Sequence, residues 1–391
     1  QQYLTEVSEY MDEVKQHNEE IMRHIMDMVS TNIFRPLPPP VFNDFDPDED
    51  EPNYDPAWPH MQLVYAIFHK SVVTVDAKLI RKCINKKFLL RLINLFNSED
   101  PRERECLKMI LHRIYGRCMP VRFFVRNAIN NVLFLVIHEN RRHNGIAELL
   151  DILGSIINGF ALPLKSEHVC FLQQVLVPLH KTPTLSQFHL QLNYCVTQFI
   201  LKDPTLAGCV LSGILKYWPV TSCQKELLFL EELEGVLALA DPTLIEKVVV
   251  CLTHTYMNHC FKRVSNAISS HHFQVAEKAL FLWNNDTIAS FTSNHKDRIL
   301  PIIFPALQQN YSTHWNSTVS SLTLNIIRIF KEMDKELYEG VSKEFKTQRT
   351  AQGRKMEKTS RKNCDGLKKK KNNKKTKTKQ KHHKTTQRNT L

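Results

Sequence analysis

The chain has 391 residues, 42% of them hydrophobic, which is enough for one large or two ordinary cores and excludes disorder of the whole chain. Only 10 glycines are present, which argues against turn-dense sandwiches and Gly-rich nucleotide loops and favours an all-helical body. The net charge of +12 belongs to one end: from Lys346 to Leu391, 18 Lys and Arg face 2 Asp and Glu, leaving 34 basic and 38 acidic residues in a mildly acidic body.

At the N-terminal end, Val7, Met11, Val14, Ile21 and Ile25 fall at helical spacing, which predicts one or two amphipathic helices between Leu4 and Phe34. The prolines from Pro36 to Pro40 stop them. The stretch FNDFDPDEDEPNYDPAWP, residues 42–59, is too rich in proline and carboxylate for a helix or a buried strand, and is expected as an acidic surface loop followed by Trp58 as a core anchor. The carboxylates Asp46, Asp48, Glu49, Asp50 and Glu51 lack the alternation and turn glycine of an EF-hand, so a solvated loop facing a basic partner is preferred to a cation site.

From His60 onward helical segments follow one another with short breaks. Asp100-Pro101, Asp203-Pro204 and Asp241-Pro242 each set a capping side chain before a residue preset for the first helical turn. The last two share the tetrapeptide DPTL, 38 residues apart, close to the roughly 40-residue period of HEAT and armadillo repeats. The expected body is an all-α, HEAT/armadillo-like helical-repeat superhelix over residues 1–345. Residues 346–391 are expected as a disordered, Lys-rich tail, because they hold almost no apolar side chain to offset the entropy of ordering.

No G-x-x-x-x-G-K-[ST], G-x-G-x-x-G or G-x-S-x-G is present, so no enzymatic signature is found. His138-Glu139 with His143 has one residue too many for H-E-x-x-H, and neither a metal nor a cofactor is expected. Ten cysteines without a C-x-x-C pair predict free thiols in a reducing compartment. No 18-residue window is uncharged and apolar and no signal-peptide pattern opens the chain, so the expectation is a soluble, intracellular protein without a membrane partner; the absence of an initiator Met points to missing N-terminal residues.

The basic cluster is the sharpest feature. Arg122 and Arg126 lie one helical turn apart, a like-charge pair that repels unless an anion is offered, with His112 and Arg113 about one helix earlier. Ile152 and Ile156 form an i, i+4 apolar pair, and Lys165 and His168 flank the next break. On spacing alone, a solvated basic face beside core isoleucines is the alternative to a binding groove.

The stretch Ser98 to Lys165, with SEDPREREC, LHRIYGR and HNGIAELLDILGSIINGFALPLK, resembles the B-prime family of regulatory subunits of protein phosphatase 2A. FDPDEDEP, AWPHMQLVY, LKYWP, HFQVAEKALFLWNN and THWN extend the resemblance over roughly residues 32–345. It implies a non-catalytic subunit that joins the phosphatase scaffold and catalytic subunits and recruits substrates and adaptors carrying Leu-x-x-Ile-x-Glu motifs. The residues matching the family's motif groove are His112, Arg113, Tyr115, Arg122, Arg126, Ile152, Ile156, Lys165 and His168, and the acidic loop Asp46 to Glu51 would face the core enzyme. The segments 66–82 and 241–270 depart from the family pattern, and the family's first repeats are missing at the N-terminus; both bear on assembly rather than on motif recognition.

A different function rests on the tail: a HEAT-repeat nuclear adaptor or nucleic-acid-associated protein. Lys368, Lys369, Lys370, Lys371, Lys374 and Lys375 have the composition of a nuclear localisation segment, or serve only to solubilise. Cytoplasm and nucleus are the expected locations.

Overall fold

The computed structural model describes residues 2–13, 18–37, 52–139, 141–239 and 255–350. Every regular element among the described residues is helical, as the scarcity of glycine implied. The chain divides into two compact units, one of Gln1–Cys260 with Phe281–Ala289, the other of Phe261–Leu280 with Ser290–Leu391.

The first unit opens with α1 (Gln2–Glu13) and α2 (Glu19–Ile33). Asn18 starts α2 by accepting a hydrogen bond from the Glu20 amide, and Met22, Ile25, Met26, Val29 and Ile33 form its buried stripe. α3 spans Trp58–Thr74, so the expected loop closes two residues early. The reason is local: Pro59 is preset for a first helical turn, and Asp55 accepts the Ala57 and Trp58 amides through its side chain and carbonyl. Trp58 is half-buried rather than a core anchor, held between Tyr65 and the Arg102 guanidinium.

Then follow α4 (Ala77–Cys83), α5 (Lys86–Asn94), α6 (Pro101–Arg117), α7 (Arg122–Glu139) and α8 (Ile146–Asn158). α9 (Ser166–Phe171) runs through a π-helical turn, Leu172–Leu176, into α10 (Val177–Leu179). α11 (His189–Lys202), α12 (Ala207–Lys216) and α13 (Cys223–Leu239) complete the run. Asp100 and Asp203 cap their helical starts as the Asp-Pro pairs predicted, accepting the Arg102 and Thr205 amides. Asp241-Pro242 lies outside the described residues.

Two layers result. α3, α6, α8, α11 and α13 pack in succession along one, and α5, α7, the π-helical turn, α10 and α12 along the other. Side chains that bridge successive members of the first layer are separated by a nearly constant interval. Arg104 meets Glu148 at 2.8 Å, the Cys195 thiol donates to the Leu150 carbonyl at 3.3 Å, and His189 meets Glu232 at 3.0 Å, intervals of 44, 45 and 43 residues. In the second unit Asn310 donates to the Ile268 carbonyl and Trp315 to that of His271, intervals of 42 and 44. This is the period of HEAT-like repeats, somewhat longer than the DPTL offset suggested.

Tight turns keep the layers close. A Cβ on Gly145 would come within 2.3 Å of the Phe96 carbonyl oxygen, so this position before α8 admits only glycine without a shift. Met119–Glu139 has the length and hydropathy of a membrane span, but it carries Arg122 and Arg126 and packs against α5 and α8.

Beyond α13 come α14 (Thr255–Ile268), α15 (Phe273–Phe281), α16 (Asp286–Asn294), α17 (Lys296–Thr313) and α18 (Ser317–Met333). A final helix covers residues 335–350, carrying regular structure past position 345. The Lys-rich stretch after it lies outside the described residues.

Candidate functional site

The site is assembled at the junction of α6 with α7. A 3-10 turn, Met119–Val121, reverses the chain and brings Arg122 back over the end of α6. There its Nε donates to the Tyr115 carbonyl and its Nη2 to that of Gly116, both at 2.9 Å. These are carbonyls that a helix C-terminus leaves without intrahelical partners. Arg126, one turn on, donates through Nη1 to the Tyr115 hydroxyl at 3.0 Å. Tyr115 therefore holds both arginines, and Arg122 is partly occupied as a helix cap rather than held free for an anion.

His112 and Arg113 are exposed on α6, and Lys165 is exposed just before α9. Among the described residues the side chains of these three form no hydrogen bond or ion pair. Lys108, nearby on α6, is neutralised by Glu105 at 2.8 Å and by Asp151 of α8 at 3.1 Å. Arg113 and Lys165 thus carry positive charge without a partner, and Arg126 has only the neutral Tyr115 hydroxyl.

Ile152 and Ile156 are buried in the repeat core. The open apolar space lies one residue on: Leu153 and Ile157 line a cavity of about 100 Å³ together with Phe123, Phe160 and Phe171. Its polar edge is formed by Arg126, Asn127, Asn130, Glu167 and His168. The His168 ring stacks on Phe160 at 3.7 Å, within 1° of parallel. Burial, with Arg126 and Lys165 nearby, lowers the pKa of His168 against the opposing pull of Glu167. Two polar atoms of this cavity, Asn130 Oδ1 and His168 Nδ1, are buried without a hydrogen-bond partner.

The nine residues expected to form the groove thus separate into three sets. Tyr115, Arg122 and Arg126 interlock; His112, Arg113, Lys165 and His168 surround them on α6 and α9; Ile152 and Ile156 lie beneath. Phe123, Asn130 and Phe160 were not anticipated. The i, i+4 continuation of Arg122 and Arg126 to Asn130 was a readable signal, whereas Phe160 lies beyond α8, where helical periodicity offers no guide.

Asp46, Asp48, Glu49, Asp50 and Glu51 lie outside the described residues, as do Lys368 to Lys371, Lys374 and Lys375. Asp55, at the described end of the acidic segment, pairs with Arg35 at 2.6 Å. Arg35 also meets Glu103, whose carboxylate accepts from the hydroxyls of Tyr65 and Ser98. His138 closes α7, and His143 accepts the Gly145 amide. Burial and the charge of Arg104 push the His143 pKa down to about 4. Among the described residues no three His, Cys, Asp or Glu side chains gather as metal ligands would. All eight described cysteines are free thiols.

Comparison with known proteins adds an independent line. The family model for the protein phosphatase 2A regulatory B subunit (B56 family) matches residues 1–384. The B' eta isoform of the 59 kDa regulatory subunit of serine/threonine protein phosphatase 2A from Arabidopsis thaliana is 51% identical over 329 residues, covering 82% of this chain and 63% of the relative. The human delta isoform of the 56 kDa regulatory subunit is 48% identical over 327 residues, covering 82% and 53%. The mouse alpha isoform is 46% identical over 333 residues, covering 85% and 67%. The chain spans between about half and two thirds of the length of these relatives.

Proposed function

We propose, from the premise that this chain belongs to the protein phosphatase 2A regulatory B subunit (B56) family, that it is a non-catalytic targeting subunit of a serine/threonine phosphatase. It would join the scaffold and catalytic subunits and hold substrates or adaptors through Leu-x-x-Ile-x-Glu segments. The rate gain is then one of effective concentration, because a tethered phosphoprotein meets the catalytic subunit intramolecularly.

The observation that carries this reading is the adjacency of an apolar cavity and cations without partners on neighbouring helices. A cavity of about 150 Å³ lined by Leu, Ile and Phe binds benzene, so the roughly 100 Å³ beside Leu153 and Ile157 suits an aliphatic side chain such as leucine. His112 and Arg113, exposed on α6, would meet an acidic residue further along the same peptide. Lys165 serves a phosphate or a second carboxylate. Charge-assisted hydrogen bonds of this type contribute about 1.5–3 kcal/mol each, so two or three beside one buried leucine give micromolar recognition.

Association with the phosphatase core is tested by co-purification with purified scaffold and catalytic subunits. Recovery of a stoichiometric heterotrimer supports it, and elution of the chain alone contradicts it. We place the protein in cytoplasm and nucleus, with Lys368 to Lys375 as the nuclear signal. Loss of nuclear signal on replacing those lysines with Gln is the expected result in a localisation assay.

A further inference from the structure

We propose that a second cavity, at the turns ahead of α3, α6 and α8, binds an extended segment of a partner protein through its main chain. This site is independent of the one beside Arg126.

The cavity measures about 440 Å³, within the range of about 300–1,000 Å³ usual for ligand pockets. Three successive repeats each bring one asparagine to it: Asn53 ahead of α3, Asn97 ahead of α6 and Asn144 ahead of α8, at intervals of 44 and 47 residues. Asn53 and Asn97 are exposed and Asn144 is half-buried, so a ligand can reach all three. Leu37, Tyr54 and Pro56 supply the apolar wall.

The groups still free decide what the cavity takes. Its charges are largely engaged within the chain. Arg35 pairs with Asp55 at 2.6 Å and with Glu103 at 2.8 Å, and both oxygens of the Asp100 carboxylate accept from Arg102. Arg142 is engaged as well, and Glu99 accepts from Asn53 Nδ2 at 3.2 Å. A phosphate therefore finds no free cation, and a metal ion finds one remaining oxygen of Glu99.

The side-chain amides differ. Asn97 Oδ1 accepts the Asn144 main-chain N–H at 3.1 Å, and Asn144 Nδ2 donates to the Asn97 carbonyl at 3.0 Å. With a carboxylate opposite Asn53, these partners fix which end of each amide is oxygen and which is nitrogen. Left over are Asn53 Oδ1, Asn97 Nδ2 and Asn144 Oδ1: in chain order an acceptor, a donor and an acceptor. An extended peptide offers one N–H and one C=O per residue without internal partners, which is the neutral, mixed set that these three groups complement. Sequence preference is then confined to the side chain that meets Leu37, Tyr54 and Pro56.

The test begins with random heptapeptides displayed on phage, selected on the full chain in the presence of a saturating Leu-x-x-Ile-x-Glu peptide. Enriched peptides are synthesised and titrated by fluorescence. Asn97→Asp keeps the acceptor that holds Asn144 and removes the outward donor, whereas Asn53→Leu removes an outward acceptor. Each should weaken binding about fivefold or more, the worth of one hydrogen bond. Gln62→Glu, exposed on α3 outside the cavity, makes the same charge change as Asn97→Asp and should leave affinity unaltered, as should Arg113→Glu. The two asparagine variants delete different groups, so either one decides if its melting temperature shows it folded. No enrichment over an empty support, affinity retained in Asn97→Asp or Asn53→Leu, or affinity lost in Arg113→Glu overturns the proposal. Failure of the Leu-x-x-Ile-x-Glu peptide itself to bind contradicts only the site beside Arg126.

Discussion

Two clusters of titratable groups in this protein contrast sharply. At the α10–α13 contact, Glu232 is fully buried and its carboxylate accepts from His180 at 2.9 Å and His189 at 3.0 Å. His180 Nδ1 lies 2.8 Å from the Val177 carbonyl, so both ring nitrogens face acceptors and the ring is held as imidazolium. At the α6–α9 site the opposite holds: His112, Arg113 and Lys165 form no ion pair, and Asn130 and His168 each keep a buried atom unpaired. Charges satisfied within the chain bind helices to each other, and charges left unsatisfied remain available to a ligand. Composition treats the two clusters alike; geometry separates them.

The largest effect should come from breaking the brace. Glu232→Ala leaves a buried imidazolium without its carboxylate, and a loss of about 3–5 kcal/mol in urea denaturation is expected. Glu232→Gln should cost less, because the amide oxygen still accepts. If either variant weakened peptide binding while remaining folded, the clean division between brace and site would fail.

The site gives the converse pattern. Arg113→Glu should weaken a Leu-x-x-Ile-x-Glu peptide at least tenfold, as loss of a charge-assisted contact requires, with no change in melting temperature. Arg122→Glu should reduce both affinity and stability, because it also uncaps the last turn of α6. Equal melting temperatures for the two variants would refute the capping role of Arg122.

Proton linkage sharpens the contrast. Burial opposes the His180 charge, but Glu232 and the Val177 carbonyl outweigh it and raise the His180 pKa. The brace contribution is therefore complete below the unfolded histidine value of about 6.5 and is lost as pH rises through the folded value. Burial likewise opposes ionisation of Glu232, but His180 and His189 pull its pKa down to about 2. That contribution is present above the unfolded value of about 4.3 and is lost as pH falls towards 2. A melting-temperature profile against pH should decline on both sides, and His180→Gln should flatten its alkaline limb. The smallest effect belongs to Tyr115→Phe, which removes one neutral-to-cation contact with Arg126 and should weaken peptide binding only a few-fold.

Much of the fold was legible in the sequence. Asp100-Pro101 and Asp203-Pro204 mark real helical starts, and the apolar spacing before Phe34 resolves into α1 and α2. The repeat period was read less well, because it resides in bridges between successive helices, such as Arg104 to Glu148, that no local pattern records. In the site, spacing located Arg122 and Arg126 but not their partner, since capping of α6 depends on the reversal at Met119–Val121. α8 buries eight of its residues, among them Ile152, Leu153, Ile156 and Ile157, so apolar periodicity alone cannot say which two open onto a cavity. Asn130 stands at a readable spacing, four residues after Arg126, but that its Oδ1 is unpaired depends on what surrounds it, which sequence does not record.

The central claim is that the unpaired cations of α6 and α9 form a peptide site without a structural role. Parallel measurement of peptide affinity and melting temperature for the unaltered chain and Arg113→Glu tests it most directly. The account predicts at least a tenfold loss of affinity at an unchanged melting temperature. Retained affinity in Arg113→Glu, or a fall in melting temperature that accounts for its loss, would contradict it.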